Sequence, residues 1–128
     1  MRVVIDTNVI VSGILSDTGK YSIFMDRVFG NQYEVVVSET IMKEYDRVLH
    51  YKRLNIEEST ISFVLDWFRS NAIFIEIDED EAVPYMDERD KSDKPFYLLA
   101  KNTQSLLVTG NIKHYPVEEW RTMIWELV

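Results

Sequence analysis

Val3-Val4-Ile5-Asp6-Thr7-Asn8 decides how this chain is read. Three consecutive apolar residues with the character of a buried strand end in a carboxylate. In an open parallel sheet, the carboxyl edge of the strands is where ligands bind. A charge delivered there costs desolvation energy unless it is paired or coordinates something. What the other elements bring to that edge therefore decides the function.

Outward from residues 2–5, four more strands are expected. They are Glu34-Val35-Val36-Val37, residues 73–77, Leu106-Leu107-Val108 and Met123-Ile124-Trp125. Helical spacing falls between them. Tyr21 to Phe29 carries Ile23, Phe24 and Val28. Ile41, Tyr45, Val48 and Leu49 follow i, i+4, i+7, i+8, with Ser38 placed to cap. Ile61, Val64, Leu65 and Phe68 repeat the pattern, and Asn55 with Glu58 resembles a capping pair. Phe96, Leu99 and Ala100 continue a helix whose first turn holds Pro95, where proline is tolerated. Strands alternating with helices imply an α/β domain with parallel pairing. Residues 78–92 lack periodicity, contain Pro84 and read as a surface loop.

The 128 residues suit one domain, 1–128, and 46% hydrophobic residues suffice for a core. The chain has no cysteine, which excludes disulfides and thiolate metal sites. No apolar stretch approaches membrane-spanning length. Asp6 interrupts the N-terminal apolar segment, so no signal peptide is read there, and a cytoplasmic protein is expected. The net charge of -8 argues at first against a polyanionic partner. Five of those charges sit in the run Glu76 to Glu81. Setting aside that run and three carboxylates singled out below leaves the remainder balanced.

Asp93 opens the helix before the fourth strand. Helices in parallel units start at the carboxyl edge, so Asp93 should face the same crevice as Asp6, with Asp90 close enough to contribute. An Asp before a helix is equally an ordinary cap. Glu44 flanks the apolar stripe of its helix on one side and Asp46 on the other, and periodicity does not choose between them. Glu44 also lies about 9 Å along the helix from its start. Thr109-Gly110-Asn111 follows the fourth strand, where Asn111 offers a neutral amide oxygen and Gly110 permits a sharp turn.

Four segments in order carry a family resemblance. Val4-Ile5-Asp6-Thr7-Asn8-Val9 resembles the opening of PIN-domain nucleases, and Ser38-Glu39 through Glu44 their second motif. Asp90-Lys91-Ser92-Asp93-Lys94-Pro95-Phe96 with Leu98-Leu99-Ala100 resembles the third. Val108 through Pro116 is similar to the closing motif of the branch described as toxins of toxin–antitoxin pairs. The resemblance implies a three-layer α/β/α sandwich with a central, mainly parallel five-stranded sheet. It implies a metal-dependent ribonuclease, with Asp6, Glu44 and Asp93 matching the three core acids. Asn111 stands where many members carry a fourth acid. Thr7, Asn8 and Thr109 match positions that support the acids through hydrogen bonds. An antitoxin partner and a homodimer are implied too, with Tyr33, Trp67 and Trp120 as candidate contacts.

Gathered carboxylates repel one another, so a cation should complete the cluster. Hard oxygen ligands suit Mg²⁺ or Mn²⁺, held by Asp6, Glu44, Asp93 and Asp90. Such ions acidify water for in-line attack on phosphorus. Lys113, His114, Lys94 and Arg89 lie near the same edge and are candidates for phosphate contact. Phosphatases of the haloacid-dehalogenase type need a second Asp two residues after the first, where this chain has Asn8. A response-regulator receiver needs adjacent acids after its first strand, which are not found here. A weakened module that binds RNA or protein without cleaving is the non-enzymatic alternative, favoured by Asn111 and the acidic run.

Overall fold

The computed structural model describes residues 1–81, 93–111, 115, 120–123 and 127–128. The chain runs β1 (Arg2–Ile5), α1 (Thr7–Leu15), α2 (Lys20–Phe29), β2 (Glu34–Val37), α3 (Glu39–Leu49), a 3-10 turn (Lys52–Leu54), α4 (Glu58–Asn71) and β3 (Ile73–Phe74). It continues through α5 (Lys94–Thr103), β4 (Leu106–Thr109) and β5 (Arg121–Met123). The strands form one five-stranded sheet in the order β3-β2-β1-β4-β5, and every pairing is parallel. Helices pack on the sheet as an α/β sandwich, as the alternation predicts.

The central strand explains itself. Val3, Val4 and Ile5 are each fully buried, as expected of a strand covered on both faces. The chain moves from β1 outward through β2 to β3, then returns to the other side of β1 with β4 and β5. The strand order therefore reverses between β1 and β4. In open α/β sheets that reversal leaves a crevice at the carboxyl ends of the two strands. Asp6 follows β1 and Thr109 ends β4, so both stand at its mouth.

Several expectations need adjustment. A helix, α1, starts directly after Asp6, where no helical pattern was read. Strand β3 holds only residues 73–74 of the expected 73–77, because its partner β2 ends at Val37 and Ser38 already caps α3. Strand β5 spans Arg121–Met123, earlier than expected, while residues 124–126 lie outside the described residues. Asn55 and Glu58 form no capping pair: Asn55 is left-handed (φ 51) and closes the 3-10 turn, and Glu57 is the N-cap of α4. Tyr33, Trp67 and Trp120 are not exposed. Each is half-buried against another ring, on Phe24, Phe29 and Tyr97 respectively. Most of the expected loop, residues 82–92, lies outside the described residues. Among the described residues no helix is long and apolar enough to cross a membrane.

The acidic run has a structural use at its described end. The Glu76 carboxylate accepts the Glu39 backbone N–H at 3.0 Å, and Glu79 accepts the Thr40 hydroxyl at 3.0 Å. Both place negative charge at the positive start of α3. Ser38 adds its hydroxyl oxygen to the Ile41 N–H at 3.2 Å, as its capping position predicts.

Candidate active site

Asp6 is 5% exposed, so its carboxylate sits inside the crevice and not above it. Its backbone N–H still belongs to the sheet, donating to the Val108 carbonyl at 2.9 Å. Strand pairing thus fixes the residue before its side chain does anything. Two hydroxyls then converge on one carboxylate oxygen. Thr109 donates to Oδ2 at 2.8 Å and Tyr115 donates to the same atom at 3.2 Å. Thr109 also accepts the Asn111 N–H at 3.0 Å, so one buried hydroxyl positions both the acid and the turn that follows β4. Arg121 of β5 steadies Tyr115 by donating to its carbonyl at 2.9 Å.

A second tyrosine closes the crevice from α3. Tyr45 is fully buried and donates its hydroxyl to the Ile5 carbonyl at 2.5 Å. Its ring lies against Phe68 and Phe96 at 5.2 and 6.0 Å. Burial, then the Asp6 charge, pushes the Tyr45 hydroxyl well above the usual phenol range. Burial, then the charges of Asp6 and Asp93, does the same to Tyr115. Both phenols therefore stay protonated and act as donors. The Asp93 charge is thus felt at Tyr115, and Asp93 stands at the start of α5.

Asp93 is the N-cap of α5 by position, yet its side chain makes no capping hydrogen bond. The ordinary explanation of an Asp there is thus unmet. Lys94 follows it, half-buried, at the first turn of α5. Glu44 is held elsewhere. Both its carboxylate oxygens accept from Arg47 on the next turn of α3, at 2.7 and 2.8 Å. The side chain of Glu44 is 23% exposed, against 59% for Asp46, which settles which flank of α3 is covered. Thr7 is buried beside Asp6, and among the described residues its hydroxyl oxygen has no hydrogen-bond partner. Asn8 and Asn111 are exposed at the rim. Asp90, Arg89, Lys113 and His114 lie outside the described residues. Among the described residues, no three His, Cys, Asp or Glu side chains stand close enough to hold a metal ion together.

A profile of the PIN domain matches residues 2–113. The chain belongs to the PIN-domain family. No curated protein and no solved structure gives a significant match. PIN domains are generally nucleases and generally use Mg²⁺ or Mn²⁺. The residues here fit such a cation on two grounds. Among the described residues, the polar side chains near the carboxyl edge, Asp6, Thr7, Asp93 and Asn111, carry hard oxygens. Among the described residues the buried Thr7 hydroxyl has no partner, which a folded chain tolerates where a further group completes its bonding.

The reading from the residues named the acids but missed the tyrosines of this PIN domain. Tyr115 lies inside the segment Val108–Pro116 that carried the resemblance, six residues beyond the end of β4. That proximity to the carboxyl edge was the available signal. Tyr45 was read only as a core residue of the α3 stripe. It is one, and its polar tip reaches the backbone just before Asp6.

Proposed function

We propose that the chain is a Mg²⁺- or Mn²⁺-dependent ribonuclease that hydrolyses RNA phosphodiesters and acts in the cytoplasm as the toxin of a toxin–antitoxin pair. The observation that carries this reading is Asp6, a buried carboxylate at the strand-order reversal, with two hydroxyl donors on one oxygen. The strand-order reversal is where open α/β sheets bind ligands, so an acid fixed there is placed to hold a cation. Asp6 and Asp93 would hold the cation, joined by Glu44 once it leaves Arg47 and by Asp90. When bound, the cation supplies positive charge to the phosphoryl oxygens and acidifies water. Thr109 and Tyr115 hold Asp6 in one orientation and keep its second oxygen directed. Asn111 orients a ligand or water at the rim, and Thr7 offers its hydroxyl from below. Asn8 would support the acids through hydrogen bonds. Lys94, Lys113, His114 and Arg89 contact phosphates. The toxin role rests on the likeness of Val108–Pro116, and implies an antitoxin partner and a homodimer.

The test is cleavage of a labelled RNA by purified protein with Mn²⁺. Wild type should cleave, EDTA should stop it, and Asp6→Asn should be inactive while retaining its circular dichroism. Cleavage persisting in Asp6→Asn refutes the assignment. Expression should arrest growth, and unimpeded growth with abundant folded protein argues against the toxin role. One observation favours a second reading, a silent module that binds RNA or protein: Glu44 is engaged by Arg47. Calorimetric titration with Mn²⁺ separates the two, since the silent module takes up no cation.

A further inference from the structure

Beyond Glu44, α3 ends in a group of side chains that the site does not use. The Arg47 guanidinium lies over the Tyr51 ring at 5.4 Å from its centre, and the Arg53 guanidinium at 5.3 Å. Both distances fall within cation–π range. Arg47 also donates to the Tyr51 hydroxyl while gripping Glu44. Lys52 and Arg53 are exposed, and among the described residues no carboxylate pairs with Arg53. In a chain of net charge -8, this is a local concentration of cations around one half-buried aromatic ring.

We propose that Tyr51, with Arg47, Lys52 and Arg53, is a stacking and phosphate-binding platform for single-stranded RNA at the C-terminal end of α3. The proposal rests on the ribonuclease reading and adds a strand-holding surface to it. Three features argue for RNA. The Arg53 guanidinium, over the ring, keeps its second face for a base and its N–H edge for a phosphate, while the N–H groups of Arg47 are engaged by Glu44 and the Tyr51 hydroxyl. A ring among cations is how strands are held without sequence readout. An acidic peptide would use the N–H edges alone and leave the ring idle.

The platform is preformed. Tyr51 donates its N–H to the Val48 carbonyl at 3.0 Å, and its own carbonyl accepts from Leu54 at 3.0 Å. Asn55, left-handed at φ 51, closes the turn by donating to the Lys52 carbonyl at 3.1 Å. The ring is thus held by backbone bonds on both sides, which reduces the ordering cost of binding. It is linked to the crevice through α3. Arg47 touches Glu44, and the neighbouring Tyr45 reaches the Ile5 carbonyl just before Asp6.

The test uses the full chain in EDTA, so that binding is read without cleavage. A fluorescent single-stranded RNA of about twelve nucleotides is followed by anisotropy at several salt concentrations. Tyr51→Ala should weaken binding roughly five- to fifty-fold. Arg53→Ala should weaken it and lower the salt slope by about 0.7 for each phosphate that Arg53 neutralises. Arg53→Lys should restore the slope without restoring the full affinity. Arg2→Ala, which removes an exposed guanidinium from β1, should change little. Equal affinities for wild type, Tyr51→Ala and Arg53→Ala, with wild type still cleaving RNA, overturn the platform and leave the ribonuclease reading standing. Wild type that neither binds nor cleaves RNA removes both. Variants that keep RNA affinity but lose affinity for poly-glutamate assign the patch to an acidic protein and overturn the proposal.

Discussion

Thr109→Val separates the support of Asp6 from ordinary packing. Valine matches threonine in shape but has no hydroxyl. Thr109 is fully buried, so water does not replace what is removed. The lost bond to Asp6 Oδ2, at 2.8 Å, is one in which a hydroxyl serves a carboxylate. Such bonds contribute about 1.5–3 kcal/mol net. The Asn111 N–H also loses its acceptor, but Asn111 is exposed and water compensates most of that loss. The expected destabilisation is therefore about 2–3 kcal/mol. Unfolding entropy scales at about 2.1 cal/mol/K per residue, so 1 kcal/mol moves Tm by roughly 4 °C in a chain of 128 residues. Thr109→Val should lower Tm by about 7–12 °C on that scale. Thr109→Ser is the control. It keeps both bonds and loses one buried methyl, about 0.8 kcal/mol, or roughly 3 °C. Paired melts at neutral pH in EDTA read the difference. A valine variant no less stable than the serine variant refutes the claim that this hydroxyl supports the buried acid.

Three other outcomes follow from single positions. Both ring nitrogens of His50 face acceptors only, the Asp46 carbonyl at 2.7 Å and carboxylate at 2.9 Å on one side, Glu58 at 3.0 Å on the other. The hydrogen bond to the Asp46 carbonyl, aided by Glu58, raises its pKa above the ordinary histidine value. A raised folded pKa contributes stability that is full below about 6.5 and is lost as pH rises through the folded value. The stability gap between wild type and His50→Gln should accordingly narrow with rising pH, and a gap that is constant or widens rejects the clamp. At Gly13 an added Cβ would lie 2.4 Å from Met25 Cγ and 3.0 Å from the Tyr21 carbonyl. Met25 can move but that carbonyl cannot, so Gly13→Ala should cost about 1–3 kcal/mol in urea denaturation despite its better helix propensity. Gln104 ends α5 in the left-handed region at φ 55, so Gln104→Gly should stabilise by about 0.5–1 kcal/mol in the same assay.

The sheet was legible because its central strands are apolar runs that end abruptly. Val3–Ile5, Val35–Val37 and Leu107–Val108 are buried throughout, and such runs have few alternatives. Helix α1 was not legible for the same reason. Val9, Ile10, Val11 and Ile14 extend the apolar character past Asp6, and β-branched residues obscure a 3.6-residue period. Asp6 was legible because one charge at the end of a buried strand stands out. Glu44 and Asp46 were not distinguishable, since both flank one stripe, and only packing shows that Asp46 turns outward to His50. Tyr115 reaches Asp6 across 109 positions of sequence, a contact that no local pattern encodes.

Asp6 and Glu44 differ in how firmly they are held, which bears on the proposed mechanism. Asp6 is fixed by the β1–β4 pairing and by hydroxyls that are themselves buried. Moving it would break the sheet or strand a polar group away from water. Glu44 is held only by Arg47, whose side chain is 55% exposed and whose charge water screens. Ion pairs of that kind contribute little to stability. Breaking the pair leaves Arg47 solvated and still stacked on Tyr51, so neither partner is stranded. In the proposed site a divalent cation held by Asp6 and Asp93 would attract a carboxylate more strongly than a screened guanidinium does, because its charge is doubled. The contact between Glu44 and Arg47 therefore does not oppose cation binding. In the proposed site Glu44 would be the adjustable ligand, the other end being fixed, and its departure from Arg47 would free that guanidinium edge for phosphate.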